Sequence, residues 1–325
     1  MIKVKTKSKA KPVSLNKKKG KLWADIVKNK YIYIMLIPVV IQYVIFRYIP
    51  IYGVQLAFKK FSAAKGIWGS KWIGLENFRQ MLAEPGFINA LGNTVAISVI
   101  MLLGGAFAAP VMALIINEFR FKKYKRVLQT TLTFPHFLSW VMTAGILYGL
   151  FSSDGIINDL LIFFGLPKQD LLTNPSTFRG FLLASHLWKE LGWMCIIYLA
   201  ILTGVDGSLY EAARIDGASR IQCIRHISVP ALLPYFSLNL VLAFSGLLDG
   251  NFDQIFNMYN SMLYDVADTI DTYIYRISFM QTPSYGFSVA VGFSKAVVAS
   301  LLLLLSNTVS KAVGGKGIFE GGTRS

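Results

Sequence analysis

The chain is poor in what a soluble catalyst or a disulfide-bonded module needs. Only 15% of its 325 residues are Asp, Glu, Lys or Arg, where a soluble domain carries about 25%. Its two cysteines, Cys195 and Cys223, are too few for a disulfide framework, and its three histidines form no Cys/His cluster with zinc spacing. No catalytic or metal-ligating residues are therefore assigned. The phosphate-cradling pattern G-x-x-x-x-G-K-[ST] is missing, since Gly314-Gly-Lys-Gly317 lacks both the loop and its magnesium-binding hydroxyl. Neither H-E-x-x-H nor G-x-S-x-G occurs, which argues against an intramembrane enzyme. An ion-coupled secondary transporter would show internal repeats and several mid-membrane carboxylates, whereas here no repeat is evident and Glu190 stands alone within a span.

What is abundant is apolar. Hydrophobic residues make up 54% of the chain and the mean hydropathy is +0.50. Stretches at about 31–50, 92–116, 127–151, 180–204, 231–250 and 285–310 match a bilayer of about 30 Å. The expectation is an all-α polytopic membrane protein with six transmembrane helices. The first run starts near Tyr31, too deep for an ordinary signal peptide, and is expected to stay as an anchor.

The net charge of +16 is unevenly placed, because residues 1–30 hold eleven Lys and one Asp. A lysine-rich tail before an apolar run is the mark of a cytoplasmic, lipid-proximal segment rather than of nucleic-acid binding. With the N-terminus inside, the inner segments carry 22 Lys and Arg and the outer ones 8. Both termini are expected to be cytoplasmic. The organisation reads as a basic tail (1–30), a membrane domain (31–313) that includes a cytoplasmic loop (205–230), and a Gly-rich cytoplasmic tail (314–325). One outer segment mixes Asp253, Asp265, Asp268 and Asp271 with Tyr259, Tyr264, Tyr273 and Tyr275, a set suited either to facing a sugar or to lying in water.

The loop between the fourth and fifth spans is the most informative stretch. Ser208 and Glu211 form an S-x-x-E pattern, so a helix is expected from Ser208, ending at Gly217. Ser219 and Gln222 repeat the pattern and open a second helix, with Pro230 expected to end it. The result is a helix, turn, helix that either docks a partner or lies on lipid.

Within that loop stands E-A-A, three residues, G, nine residues, I-x-x-P, at Glu211, Ala212, Ala213, Gly217, Ile227 and Pro230. It resembles the EAA loop of binding-protein-dependent ATP-binding cassette importers, with Val229 in place of the more usual Leu. Trp72-Ile-Gly-Leu-Glu-Asn-Phe78, Asn93-Thr94, Pro135-His-Phe-Leu-Ser-Trp140, Gly155-Ile-Ile-Asn158 and Asp268-Thr-Ile-Asp-Thr-Tyr-Ile-Tyr-Arg276 are similar to segments of carbohydrate-importing permeases. They look most like the polysaccharide and oligosaccharide branch, which includes a membrane subunit of the bacterial alginate importer.

The resemblance covers most of residues 30–313 and implies the type I importer fold. It implies ATPase coupling through Glu211, Ala212, Ala213, Asp216, Gly217, Ala218, Ile227 and Pro230. It also implies a second permease subunit in a heterodimer, two ATP-binding cassette subunits that bind Mg-ATP, a periplasmic or extracellular solute-binding protein, and location in the bacterial cytoplasmic membrane. No cofactor is expected in this chain itself.

Charge within hydrocarbon costs about 2.5–3.5 kcal/mol on insertion scales, so Lys189, Glu190, His186 and Lys295 are expected to face protein or water. Lys189 and Glu190 are about 100° apart on a helix, which makes an ion pair between them awkward and favours partners on other spans. The two lysines either close interspan salt bridges or face the path and attract an anionic sugar such as a uronate. Trp188, Trp193 and Phe244 either stack on sugar faces or pack in the bundle. Asn251 completes the expected path residues. Pro110 and Pro135 are expected to kink their spans, Gly104-Gly105 to allow close packing, and His136 to be an ordinary hydrogen-bonding histidine.

Overall fold

The computed structural model describes residues 27–119, 121–280 and 284–312. Most of the basic tail, the Gly-rich tail at 314–325 and Arg120 lie outside the described residues. The chain divides into two compact units, residues 1–55 and 56–325. In the first, α1 (Lys30–Tyr43) passes through a π turn at Val44–Tyr48 into Ile49–Ile51, and its side chains are exposed throughout. A helix apolar on all sides takes lipid as its solvent.

The second unit opens with a two-stranded antiparallel ribbon, β1 (Lys59–Lys60) and β2 (Lys71–Trp72), in which Lys59 faces Trp72. Thirteen helices in the chain matter for position. After α1 come α2 (Glu76–Ala83), α3 (Pro85–Glu118), α4 (Lys122–Thr133), α5 (Trp140–Phe151), α6 (Ile156–Phe163) and α7 (Pro175–Thr203). They are followed by α8 (Gly207–Ile215), α9 (Arg220–Cys223), α10 (Val229–Ser245), α11 (Phe252–Met258), α12 (Ile270–Tyr275) and α13 (Tyr285–Ala312). Among the described residues, five helical stretches are long and apolar enough to cross a membrane, and α7 and α8, bent by 68° at their break, pass the same test only when taken together.

The third span differs from expectation. Residues 122–133 form a separate helix whose first turns hold Lys122, Lys123, Lys125 and Arg126, a charge density that hydrocarbon does not accept. A 3-10 turn at Phe134–Phe137 contains Pro135, which has no backbone N–H to continue the helix. Ser139 then caps α5, accepting from the Met142 N–H at 3.3 Å, and the span runs over Trp140–Phe163.

The fifth span also differs. Pro230 does not end the second loop helix: Arg220–Phe244 is one helical stretch. A π turn at Ile224–Ser228, with the Val229 N–H reaching the Ile224 carbonyl, brings the chain into α10 with Pro230 in its first turn. The π turn interrupts the regular hydrogen-bond ladder just before Pro230 and so accommodates its missing N–H within the helix.

The core follows α3 and α7. Ala106, Ala109 and Ala113 on α3 are buried, and Ala109 and Ala113 pack with Tyr198, Leu199 and Leu202 of α7. A Cβ at Gly104 would overlap Leu183, so the expected close packing at Gly104-Gly105 is present. An approach the spacing did not reveal lies at Gly192, where a Cβ would strike the Leu132 carbonyl and hold α7 away from α4. Further along α3, Ile97 and Met101 meet Leu147, Phe178, Leu182, Ile255 and Met258. Its first turns pack with Ile270, Tyr273 and Val291.

Candidate functional site

The hairpin between α7 and α10 is built from local signals. Asp206, not Ser208, is the N-cap of α8; its carboxylate accepts from the Ser208 N–H at 3.0 Å. That hydrogen bond holds the Asp206 carboxyl below the usual carboxylate range. Asp ranks with Ser as a cap and lies two residues earlier, so the helix starts one residue sooner than expected.

At the other end of α8, the Ala218 N–H reaches the Ala213 carbonyl at 2.8 Å and the Gly217 N–H reaches that of Arg214 at 3.1 Å. This paired closure is a Schellman turn, and Gly217 supplies its left-handed residue at φ +82. Ser219 and Gln222 form the expected capping box. The Tyr210 and Ser228 hydroxyls, 2.9 Å apart, tie α8 to the π turn.

Glu211, Ala212, Asp216, Gly217 and Pro230 are exposed, and Ala213, Ala218 and Ile227 are half-buried. Large apolar side chains also face outward: Leu209, Ile221 and above all Ile215, which is 86% exposed. The hairpin is thus closed within itself and carries an exposed apolar tip.

The span charges meet partners on other elements as expected, through His136 and Asp271, but one pair departs from expectation. Lys189 and Glu190 pair with each other at 2.9 Å. The long lysine side chain can turn round the helix, and a third group draws the carboxylate toward it. His136 Nδ1, on the 3-10 turn, lies 2.6 Å from Glu190 Oε2, and Lys189 Nζ donates to the His136 carbonyl at 2.9 Å. Lys189 is buried beside the Trp140 ring, and His136 stacks on Trp193. The group is an interspan lock joining α7 to the turn before α5. Trp188, Trp193 and Phe244 each remain about half exposed.

Lys295 on α13 meets both oxygens of Asp271 on α12, at 2.7 and 2.8 Å, and lies 3.7 Å from Asp249. Asp249 faces a cavity of about 270 Å³ between α3, α7 and α10, whose polar lining includes Ser98, His186, Tyr198, Asn239 and Asn251. Asn251 sits in the left-handed region at φ 46 and starts α11. Of the expected path residues, Asn251 alone lines this cavity. Asp249, Ser98 and Asn239 were missed because their relation to it depends on how three helices meet.

The segment before α13 is anchored over long range. Asn93 Nδ2 donates to the Asp268 carbonyl at 3.1 Å and to that of Asp265 at 3.2 Å. Arg179 donates to Asn93 Oδ1 at 2.7 Å and to the Val266 carbonyl at 3.0 Å. Asp268 is buried and paired with Arg276, whose guanidinium covers the Tyr264 and Tyr273 rings. Burial, helped by Asp268, pushes the Tyr259 hydroxyl up to about 12; burial, helped by Glu84, does the same for Tyr273. Part of the Asp and Tyr mixture is therefore interior structure. Asp253 and Asp265 are exposed.

Among known sequences, the family described as "Binding-protein-dependent transport system inner membrane component" matches residues 101–315. The polygalacturonan/rhamnogalacturonan transport system permease protein YteP of Bacillus subtilis (strain 168) is 36% identical over 304 residues, covering 93% of this chain and 94% of that protein. Protein LplB of the same organism is 37% identical, covering 93% and 95%. Among solved structures, a chain of a bacterial ABC transporter involved in import of the acidic polysaccharide alginate superposes with a TM-score of 0.81 at 36% identity, covering 90% of this chain and 99% of that one. A second alginate ABC transporter structure, in complex with an alginate pentasaccharide-bound periplasmic protein, gives 0.81 at 35% identity, covering 92% and 100%.

Proposed function

The chain belongs to the family of binding-protein-dependent transport system inner membrane components, and from this we propose that it is a permease subunit of an ATP-driven importer of oligo- or polysaccharides. It has no nucleotide motif of its own, so two partner ATP-binding cassette subunits hold and hydrolyse Mg-ATP. A second permease supplies the other half of the path, and a solute-binding protein delivers the glycan. Similarity to proteins named for polygalacturonan and alginate transport supports the substrate class. The chain lies in the bacterial cytoplasmic membrane with both termini inside, as the lysine and arginine bias favours.

Coupling runs through the hairpin at Glu211, Ala212, Ala213, Asp216, Gly217, Ala218, Ile227 and Pro230. The observation that carries this is its exposed apolar tip at Leu209, Ile215 and Ile221, on a turn whose second arm continues unbroken into the fifth span over Arg220–Phe244. A partner that seats this tip and then closes moves the fifth span to which the tip is joined. Closure and the delivered sugar act on the same equilibrium, each through its different affinity for the two conformers. The cavity beside Asn251 lies on the path. Lys189 and Glu190 hold the spans in register.

The test uses the assembled importer in proteoliposomes. Gly217→Val puts a β-branched residue in the left-handed region, at a cost of about 1–3 kcal/mol. It and Glu211→Lys are expected to leave membrane insertion intact while abolishing sugar-stimulated ATP hydrolysis. Crosslinks from Ile215→Cys should reach the ATPase subunit. Normal coupling in both variants, or crosslinks to lipid alone, would refute the assignment.

A further inference from the structure

From α4 and the 3-10 turn that follows it, we infer that the chain holds an anionic phospholipid, with its phosphate on Lys122, Lys123 and Arg126 and an acyl chain in the groove beside Phe134 and Phe137. Phe121, Tyr124 and Val127 are exposed beside the four cations of α4, the composition of a helix that lies in the headgroup layer. Of these cations Lys125 donates to Asn117 Oδ1 at 3.1 Å. Lys122, Lys123 and Arg126 are exposed and meet no carboxylate among the described residues. The lysine and arginine bias puts this end of the bundle at the cytoplasmic leaflet, whose surface potential is negative. The site lies apart from the glycan path and needs no property of the sugar.

The groove supplies the rest of the lipid's chemistry. Its volume is about 300 Å³, and it is lined by Gln129, Thr130, Thr133, Phe134 and Phe137 with Ile196 of α7. At about 100° per residue, Lys122, Arg126, Gln129, Thr130 and Thr133 fall in one stripe of the helix. The stripe leads from cations through amide and hydroxyl groups to aromatic and aliphatic side chains, the order in which a phospholipid presents its phosphate, glycerol esters and acyl chain. Thr94 and Thr308 each donate to the carbonyl four residues back, the ordinary habit of a hydroxyl within a helix. Thr133 makes no such bond: its Oγ1 is buried at the groove and has no hydrogen-bond partner among the described residues. A buried hydroxyl left unpaired calls for a partner from outside the chain, and a glycerol ester carbonyl accepts from it. Because Phe134 and Phe137 flank His136, a lipid seated there also braces the turn that meets Glu190.

The assembled importer is reconstituted in nanodiscs of mixed phosphatidylglycerol and phosphatidylcholine, in which one lipid or the other carries a photoactivatable acyl chain, and the labelled peptides are quantified by mass spectrometry. Phosphatidylglycerol is expected to label the segment 129–137 at least about tenfold more than phosphatidylcholine at equal concentration. Lys122→Gln, Lys123→Gln and Arg126→Gln together should abolish that preference, whereas Lys122→Arg, Lys123→Arg and Arg126→Lys together should keep it. Thr133→Val should lower phosphatidylglycerol labelling of the segment several-fold while the cations stay in place. Equal labelling by the two lipids, a preference that survives the glutamine variant, or labelling unmoved by Thr133→Val would overturn the inference. So would a groove without label whose Thr130→Cys variant crosslinks to the second permease subunit, since a protein then fills it.

Discussion

The two connections at opposite ends of the fifth span are made in different ways. The hairpin at 207–223 closes on itself through Asp206, the Gly217 turn and the Ser219–Gln222 box, and leaves Ile215 and Ile221 outside. The 250–276 segment has helices just as short, yet it buries Gln254, Asp268, Thr269 and Thr272 and is fastened by residues more than 80 positions away, Asn93 and Arg179. A segment held by its own caps can offer its surface to a partner, whereas one held by distant spans behaves as part of the bundle.

The comparison can be broken most severely at Asp268. Asp268→Ala leaves Arg276 without its buried partner, and removing one member of such a pair costs about 3–5 kcal/mol. The expected result is a clear loss of thermal stability of the purified protein in nanodiscs; an unchanged melting temperature would mean that this segment is as loosely held as the hairpin. Ser219→Ala removes one cap, worth about 1 kcal/mol. It should raise amide exchange in the hairpin while global melting hardly moves, and a large fall in melting temperature would erase the distinction.

The last comparison is one of pH. Tyr259 and Tyr273 have folded values raised to about 12 from an ordinary 10.0. The stabilisation linked to their protonated forms is therefore complete below pH 10 and is lost as pH rises toward 12. Phenolate absorbance should show a late-titrating pair that joins the ordinary population on unfolding. Titration of every tyrosine near 10 would show the segment to be open.

Much of this was legible because the signals are local. Apolar runs of bilayer length mark the spans, Gly217 marks the turn, and Ser219 with Gln222 marks a helix start. Where reading failed, a stronger neighbour had taken over. Asp206 capped before Ser208, the π turn admitted Pro230 into a continuous helix, and four cations with Pro135 detached α4 from the third span. The Lys189–Glu190 pair was judged by helix angle alone, and His136 arriving from another element changed the geometry.

By itself, the order of residues determined that this is a helical membrane permease with a helix, turn, helix loop carrying the E-A-A pattern, because span length, caps and that pattern are properties of neighbouring residues. Which charges remain free was a matter for the tertiary structure alone. Ion pairs are contacts between spans, so only when α7 met the 134–137 turn and α13 met α12 were Lys189 and Lys295 neutralised and Asp249 left facing the cavity.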